Sequence, residues 1–291
     1  MNKRVALILL SVLHTSVQIR AAVEHHARGI VVDAAAAHHS LVVSCDAIPR
    51  YMDAMEMSFA VRDPKVLALL KPGMAVKFTI VARDKTLYAE NIQPATTSNF
   101  ESEPMEAGAL TALNSVLVPS ANKSLVSVGE PVPDFQLTDQ AQQHIRLSQF
   151  RGKIVALTFG YSRCPNPNYC YRLSNNLARV ARRFHDRAGH DLVLLTIAID
   201  PEHDQGAALI EYANTWKANP ESWHFLTGPV AQVKQVAGMF GMNFWSSEGL
   251  LTHTLHTIII DREGRLAVNL EGNQFTSKQL GDLVEASINR P

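Results

Sequence analysis

The sequence is poor in cysteine, in charge of either sign and in long apolar runs. Its 291 residues include 3 cysteines, too few for a disulfide-stabilised scaffold. Lysine and arginine number 27, as do aspartate and glutamate, and this balance argues against a broad basic surface for nucleic acid. Hydrophobic residues make up 46% of the chain, which predicts a folded core. The length suggests two domains. The unusual feature is the supply of soft metal ligands, with 12 histidines and 8 methionines.

The beginning of the chain has the layout of a signal peptide. An apolar run over residues 5–13 follows Lys3 and Arg4 and precedes the small residue Ala21. This run is far shorter than the roughly 20 residues that a membrane-spanning helix needs. A basic start, a short apolar run and a small residue are typical of exported proteins. The sequence therefore predicts a signal peptide over residues 1–21 and a periplasmic protein. Retention of the segment as an inner-membrane anchor is the alternative.

Residues 28–94 read as short alternating strands separated by Asp, Pro and Gly turns. Five strands in such a short span predict a small closed β-barrel of the OB type. The predicted strands cover residues 30–33, 41–44, 55–61, 76–81 and 87–92. Residues 95–127 are rich in Ser, Thr, Asn, Pro and Ala and lack periodicity, which predicts a linker.

The pattern changes in residues 128–291, where strands and helices alternate. Continuous apolar runs at 154–160 and 192–199 are typical of buried strands. This order of elements predicts an α/β sandwich of the thioredoxin-like type. The other predicted strands cover 257–260 and 266–270, and the predicted helices cover 168–187, 207–217, 230–240 and 277–289.

A pair of cysteines lies between the first buried strand and its helix. Pro165 and Pro167 stiffen the loop between Cys164 and Cys170. A helix N-terminus favours the thiolate, so Cys170 is predicted to bind metal or attack disulfides. A disulfide between the two would close a loop of 7 residues and contribute only about 2 kcal/mol. A structural disulfide is therefore the minor alternative, while the redox pair and the metal site both remain open.

The second half resembles the Sco (SenC) family, copper proteins of cytochrome c oxidase assembly with a thioredoxin fold. The resemblance covers residues 128–291 and rests on GEPVPDFQL, FRGKIVALTFGYSRCP, TIAIDPEHD and LLTHTLHTIIIDREGR, in this order. It implies that Cys164, Cys170 and His253 hold copper. His256 is a competing candidate three residues away, but the family pattern favours the histidine eight residues before Asp261.

The donor types agree with this implication. Two thiolates and one imidazole suit Cu(I) and also hold Cu(II), while zinc is not excluded by ligand type. One departure from the family is the loop, which has five residues between the cysteines instead of three. Affinity and redox potential need not match the family's. Asp200 and Asp204 also match a family signature. Their expected role is to cap the helix that begins near Gly206, and support of the metal ligands or docking of a partner is the alternative.

The first half resembles the small periplasmic copper- and silver-binding domains of the CusF type. The matching text is SLVVSCDAIPRYMDAMEMSFAVRDP followed by LKPGMAVKF. The resemblance implies a Cu(I) site with Met55 and Met57, with Cys45 at the family's histidine position and Met52 at its tryptophan position. Met55 and Met57 are two apart and share one strand face. Phe59 shares it too, so packing in the core is the alternative role for the methionines.

These features predict a two-domain copper carrier of the periplasm. The barrel captures Cu(I), and the thioredoxin-like domain loads the copper-centre subunit of a respiratory oxidase or another copper acceptor, or reduces its cysteines. One alternative is a thiol–disulfide oxidoreductase with Cys164 and Cys170 as catalytic residues. The cysteine spacing and His256 in place of a proline count against a general reductase. The other alternative is a copper buffer or sensor. No nucleic-acid partner is expected. Contact with the membrane is expected only through the partner protein or through a retained signal segment.

Overall fold

The computed structural model describes residues 24–95, 125–247 and 250–290. The predicted signal peptide and nearly all of the predicted linker lie outside these residues, so both stay predictions. Within the described ranges, no helix is long and apolar enough to cross a membrane.

The N-terminal part is a closed barrel of five strands, in the order β1-β2-β3-β5-β4, as the alternating pattern predicts. Inward-facing apolar side chains, such as Leu41, Val43 and Phe78, fill its interior. The short helix α1 (Pro64–Leu67) is capped by Asp63, whose side chain accepts a hydrogen bond from the Lys65 amide. The strands are β1 (Glu24–Ala35), β2 (Ser40–Cys45), β3 (Met55–Ala60), β4 (Ala75–Arg83) and β5 (Thr86–Pro94).

The C-terminal part is a seven-stranded sheet in the order β14-β13-β8-β9-β10-β6-β7, with helices on both faces. The strands of this part are β6 (Gln136–Asp139), β7 (His144–Arg146), β8 (Ile154–Gly160), β9 (Leu192–Ala198), β10 (Trp223–Thr227), β11 (Phe244–Ser247), β12 (Leu250–His253), β13 (His256–Ile260) and β14 (Leu266–Glu271). The helices are α2 (Arg172–Arg183), α3 (Gly206–Thr215), α4 (Val230–Met239) and α5 (Ser277–Asn289). This confirms the predicted thioredoxin-like sandwich.

Burial on both faces explains why the central strands are continuously apolar. Strands β8, β9 and β10 run parallel, and every residue of β8 and β9 is buried. Along β8, Ile154 and Ala156 join the core on one face, while Val155 and Leu157 join the core on the other. The alternation of a strand therefore places half of its apolar side chains in each core.

The helix predicted from residue 168 begins at Arg172 instead. The preceding turn, Pro167–Tyr171, is irregular, because Tyr169 has φ −102° and ψ −106°, outside the helical region. Cys170 therefore lies in this turn and not in a regular first helical turn.

Strands β6, β7, β10, β11 and β12 were not predicted from the sequence pattern.

The barrel packs against helix α5 of the C-terminal part. Ile30 and Val32 on the outer face of β1 belong to the same buried cluster as the apolar face of α5. Ser44 Oγ donates a hydrogen bond of 2.5 Å to Asp282 Oδ2. Gln279 Nε2 donates to the Ser44 carbonyl at 3.3 Å. The interface thus combines apolar burial with hydrogen bonds from one face of a single helix.

Candidate metal centre

The loop that carries Cys164 is held by a buried carboxylate. Asp204 accepts hydrogen bonds from the backbone amide of Ser162, at 3.0 Å, and from the Ser162 hydroxyl. The expected capping role of Asp204 is wrong, because the N-cap of α3 is Gln205, which makes no side-chain cap hydrogen bond. The carboxylate instead anchors the chain two residues before Cys164.

Asp200 holds the same loop through Arg163. It accepts a hydrogen bond of 2.7 Å from Arg163 Nη2 and lies 2.9 Å from His203 Nδ1. Burial alone would raise the pKa of Asp200, but the hydrogen bonds from Arg163 and His203 outweigh it and lower the pKa. Both aspartates of the DPEHD segment therefore position the residues that precede Cys164.

Three predicted ligands come together at one end of the sheet. Cys164 Sγ, Cys170 Sγ and a ring nitrogen of His253 all lie within 4.8 Å of one another. Cys170 Sγ is 3.3 Å from His253 Nε2. Cys170 and His253 are buried, whereas Cys164 is partly exposed. The arrangement leaves one sulfur accessible from outside and two donors behind it.

The histidine is oriented for binding through Nε2. His253 Nδ1 lies 2.9 Å from the Thr254 carbonyl, and a carbonyl oxygen only accepts, so Nδ1 carries the proton. The lone pair of Nε2 then faces the cysteine sulfurs. Histidine ligands are typically fixed in this way by a partner on the other ring nitrogen.

The surroundings suit a soft metal. Tyr161 stands edge-on to His253 with ring centroids 6.0 Å apart, and its hydroxyl donates to the Leu251 carbonyl at 3.3 Å. Two sulfurs and one nitrogen, with no carboxylate in the set, match the preference of Cu(I). The residues present therefore fit copper.

The two thiols differ sharply in acidity. The pKa of Cys164 is lowered to about 4, chiefly because the Cys170 thiol donates a hydrogen bond to its sulfur, and this outweighs burial, which by itself would raise the pKa. The pKa of Cys170 is raised, because this hydrogen bond and its burial both favour its protonated form. The thiolate predicted at Cys170 from its position before the helix thus lies at Cys164.

The acidity difference predicts selective alkylation of the reduced, metal-free protein. Cys45 is only 1% exposed, and burial raises its pKa to about 12. With iodoacetamide at about pH 6, well below the pKa of about 8.5 of an ordinary thiol, we expect modification at Cys164 alone. Peptide mass mapping reads the sites, and denatured protein alkylated at a higher pH gives the full set of thiols. Equal labelling of Cys45 and Cys164 in the native protein would contradict the expectation.

The candidate site in the barrel lies at one of its ends. Cys45 on β2 pairs directly with Met55 on β3, so their side chains share a face. Exposure rises along this face of β3, from buried Phe59 through half-buried Met57 to Met55, which is 46% exposed. Met52, in the loop before β3, is half-buried against the barrel core. An exposed Met55 beside a buried cysteine does not fit a purely packing role.

Two tyrosines near the cysteine pair were not singled out from the sequence. Tyr161 follows β8 directly and lies within the motif that carries Cys164, so proximity could have indicated it. Tyr212 on α3 gives no local signal, although its hydroxyl borders Gly160 so closely that a Cβ there would lie 2.9 Å from it. Only the packing of α3 on the end of β8 brings Tyr212 to the site.

Two family models match this chain. A family model described as SCO1/SenC matches residues 127–288. The chain belongs to the SCO1/SenC family. A second model, described as the copper binding periplasmic protein CusF, matches residues 24–94 of this SCO1/SenC protein. Both predicted resemblances are confirmed, and the protein is a copper-binding, Sco-like protein with a CusF-like domain.

Individual relatives of this SCO1/SenC protein are distant. An SCO2-like protein of Rickettsia typhi is 26% identical over 150 residues, which are 49% of this chain and 70% of the relative. A solved structure from Aquifex aeolicus has the same fold, with a TM-score of 0.50 and 16% identity over 55% of this chain and 94% of that chain. Copper-bound ScoI of Arabidopsis thaliana has a TM-score of 0.47 and 24% identity over 53% of this chain and 96% of its own.

Proposed function

We propose that this protein is an exported copper carrier that binds Cu(I) between Cys164, Cys170 and His253 and passes it to an acceptor protein. The observation that carries the proposal is the set of three soft donors within 4.8 Å of one another, two from the cysteine loop and one from the end of β12. Copper is the cargo here and not a resident cofactor. The signal-peptide layout and the match to a periplasmic copper-binding family support export.

The graded exposure of the ligands suits transfer by stepwise ligand exchange. Cys170 and His253 are buried and hold the ion from behind, while the partly exposed Cys164 is open to an incoming ligand. An acceptor thiolate or imidazole that reaches the ion from this side replaces Cys164 first. We propose the copper-centre subunit of cytochrome c oxidase as the acceptor, in line with the family resemblance.

The barrel is proposed as a second Cu(I) site, in which Cys45, Met55 and Met57 supply the donors and Met52 covers the ion. Thiolate and thioether sulfur are the donors that Cu(I) prefers. The cross-strand pair of Cys45 and the exposed Met55 supports a site at the open end of the barrel. The raised pKa of Cys45 means that copper must displace a proton there, so binding is expected to strengthen with rising pH.

A Cu(I) competition titration of the reduced protein tests both sites. We expect two tight equivalents for the unchanged chain, with one lost in Cys164→Ser and the other lost in Cys45→Ser. The two variants are matched controls, since each leaves the other site intact. If Cys164→Ser keeps both equivalents, the proposed site in the thioredoxin-like domain is wrong.

The lowered pKa of Cys164 beside Cys170 favours a second candidate, a thiol–disulfide oxidoreductase. This function needs both thiols but no histidine ligand. If only the Cys45-dependent equivalent of copper is found, and the purified protein reduces a disulfide substrate in a Cys164-dependent way, the oxidoreductase function is preferred.

Delivery to the oxidase is tested in a deletion strain. We expect its oxidase to lack the copper centre, and the full chain but not Cys164→Ser to restore it. A strain that keeps normal oxidase copper and instead becomes copper-sensitive would point to a copper buffer.

A further inference from the structure

We propose that Asn273 is a positioning residue of the metal centre, which holds the Cys170 turn against the segment that carries His253. The inference rests on the proposed copper function and deepens it. It concerns the connection between β14 and α5, residues 272–276, none of which binds the metal.

The turn that carries Cys170 needs a restraint from outside itself. It is irregular at Tyr169 and is followed by α2 only from Arg172. A regular helix would fix the position of Cys170 through its own ladder of hydrogen bonds, but this turn interrupts that ladder. Its sulfur nevertheless has to stay close to His253, from which it is 3.3 Å away.

Asn273 supplies this restraint on both sides of Cys170. Its side-chain Nδ2 donates a hydrogen bond of 2.5 Å to the carbonyl of Asn168. Its own backbone carbonyl accepts a hydrogen bond of 2.7 Å from Nε of Arg172. The two partners stand two residues before and two residues after Cys170. Asn273 is only 3% exposed, so water does not replace these bonds easily.

The residue before Asn273 is tied to the histidine segment. The Gly272 amide donates to the Leu255 carbonyl at 2.8 Å, two residues after His253. This bond extends the ladder in which His256 pairs with Glu271. Gly272 has φ 78°, a left-handed conformation that favours glycine and turns the chain from the strand towards the cysteine turn. Gly272 and Asn273 are adjacent in the chain, and they therefore contact the two segments that carry the buried residues His253 and Cys170.

The same connection is anchored beyond Asn273. The Phe275 carbonyl accepts a hydrogen bond of 3.3 Å from Nδ2 of Asn176 on α2. The position of Asn273 is therefore set by the strand on one side and by α2 on the other. Because donor atoms on separate segments bind a metal tightly only when they are held in place, the hydrogen bonds of Asn273 tune the affinity.

The test compares Cu(I) affinities of the full chain with and without these bonds. Asn273→Ala removes the hydrogen bond to the Asn168 carbonyl. Arg172→Gln removes the hydrogen bond to the Asn273 carbonyl and leaves the buried side chain of Asn273 in place. We expect Asn273→Ala to lower the Cys164-dependent affinity by about 10- to 100-fold, and Arg172→Gln by less. The thiolate-to-copper absorption band of the Cu(II)-loaded protein should shift in both variants.

Gln140→Ala is the matched control. Gln140 is also a buried amide that donates to a backbone carbonyl, that of Trp223 at 3.3 Å, but it lies between β6 and β10, away from the cysteines. The Gln140→Ala variant should have a lower melting temperature, while its Cu(I) affinity and its absorption band should be unchanged.

The outcomes separate the positioning role from the proposed function. Unchanged affinity and an unchanged band in folded Asn273→Ala and Arg172→Gln would overturn the positioning role while the copper site stands. An equal loss of affinity in Gln140→Ala would also overturn it, because the effect would then follow stability alone. Failure of the unchanged chain to bind copper through Cys164 would overturn the proposed function itself.

Discussion

Replacing His253 with alanine is expected to lower the Cu(I) affinity of the thioredoxin-like domain by more than about 100-fold. Removal of a residue that hydrogen-bonds to a metal ligand typically lowers affinity by about 10- to 100-fold, and His253 is a proposed ligand itself. Its Nε2 faces Cys170 Sγ at 3.3 Å, so the variant leaves two sulfurs without the third donor. Competition with a chromophoric Cu(I) chelator measures the change.

His256 offers a matched control three residues away. It is buried like His253, but its Nδ1 lies 2.9 Å from Asn269 Oδ1, and burial lowers its pKa. We expect His256→Ala to reduce stability and to leave the Cu(I) affinity near that of the unchanged chain. The opposite pattern, with affinity lost in His256→Ala and kept in His253→Ala, would show that the ligand is His256 and not His253.

Asp282→Ala is expected to lower the free energy of unfolding by about 3 kcal/mol. The Asp282 side chain is 3% exposed and accepts hydrogen bonds from Arg183, Lys278 and Ser44. Breaking a buried ion pair costs about 3–5 kcal/mol, and the lower end applies because Arg183 and Lys278 keep partial contact with water. Because Ser44 belongs to the barrel, the variant also weakens the docking of the barrel on α5. Urea unfolding measures the difference.

The effect of Asp282 depends on pH with a defined sign. Burial alone would raise the pKa of Asp282, but the hydrogen bonds from Lys278, Ser44 and Arg183 outweigh it and lower the pKa. A carboxyl whose pKa is lower in the folded state stabilises above its unfolded pKa and loses this contribution as the pH falls through the folded pKa. The stability difference between the unchanged chain and Asp282→Ala should therefore be full at neutral pH and shrink below about pH 4.

Asp33→Ala is the control for this prediction. Asp33 pairs with Arg290 at 3.2 Å across the same interface, but both side chains are largely exposed. Exposed ion pairs contribute about 0–1 kcal/mol, so little change is expected at any pH. A loss in Asp33→Ala as large as that in Asp282→Ala would show that burial of Asp282 is not the cause.

The sequence by itself determined the elements whose signals are local. The apolar run at 154–160 coincides with β8, because a strand buried on both faces needs no polar residue. Helix α5 was predicted with both of its ends, and its start carries a local signal, because Thr276 caps it and Gln279 completes a capping box within one turn. The cysteine pair was evident for the same reason, because Cys164 and Cys170 are close in the chain.

Strand β10 shows where local pattern fails. Trp223–Thr227 is a short, fully buried strand beside β9. His224 interrupts its apolar pattern, and the residue is acceptable there only because Nδ1 lies 3.2 Å from Asp139 Oδ2 on β6. This partner is 85 residues away in the chain, so no local reading could account for a buried histidine in a central strand.

Only the tertiary structure decided the chemistry of the site. It brings His253 to Cys170 across 83 residues of sequence, which spacing alone does not predict and which the family resemblance could only imply. It also decides that the thiolate is at Cys164, because the acidity of a thiol depends on which sulfur is buried and which accepts a hydrogen bond. Burial, hydrogen bonds and the distances between the donor atoms depend on segments that are far apart in the chain, so local sequence patterns do not predict them.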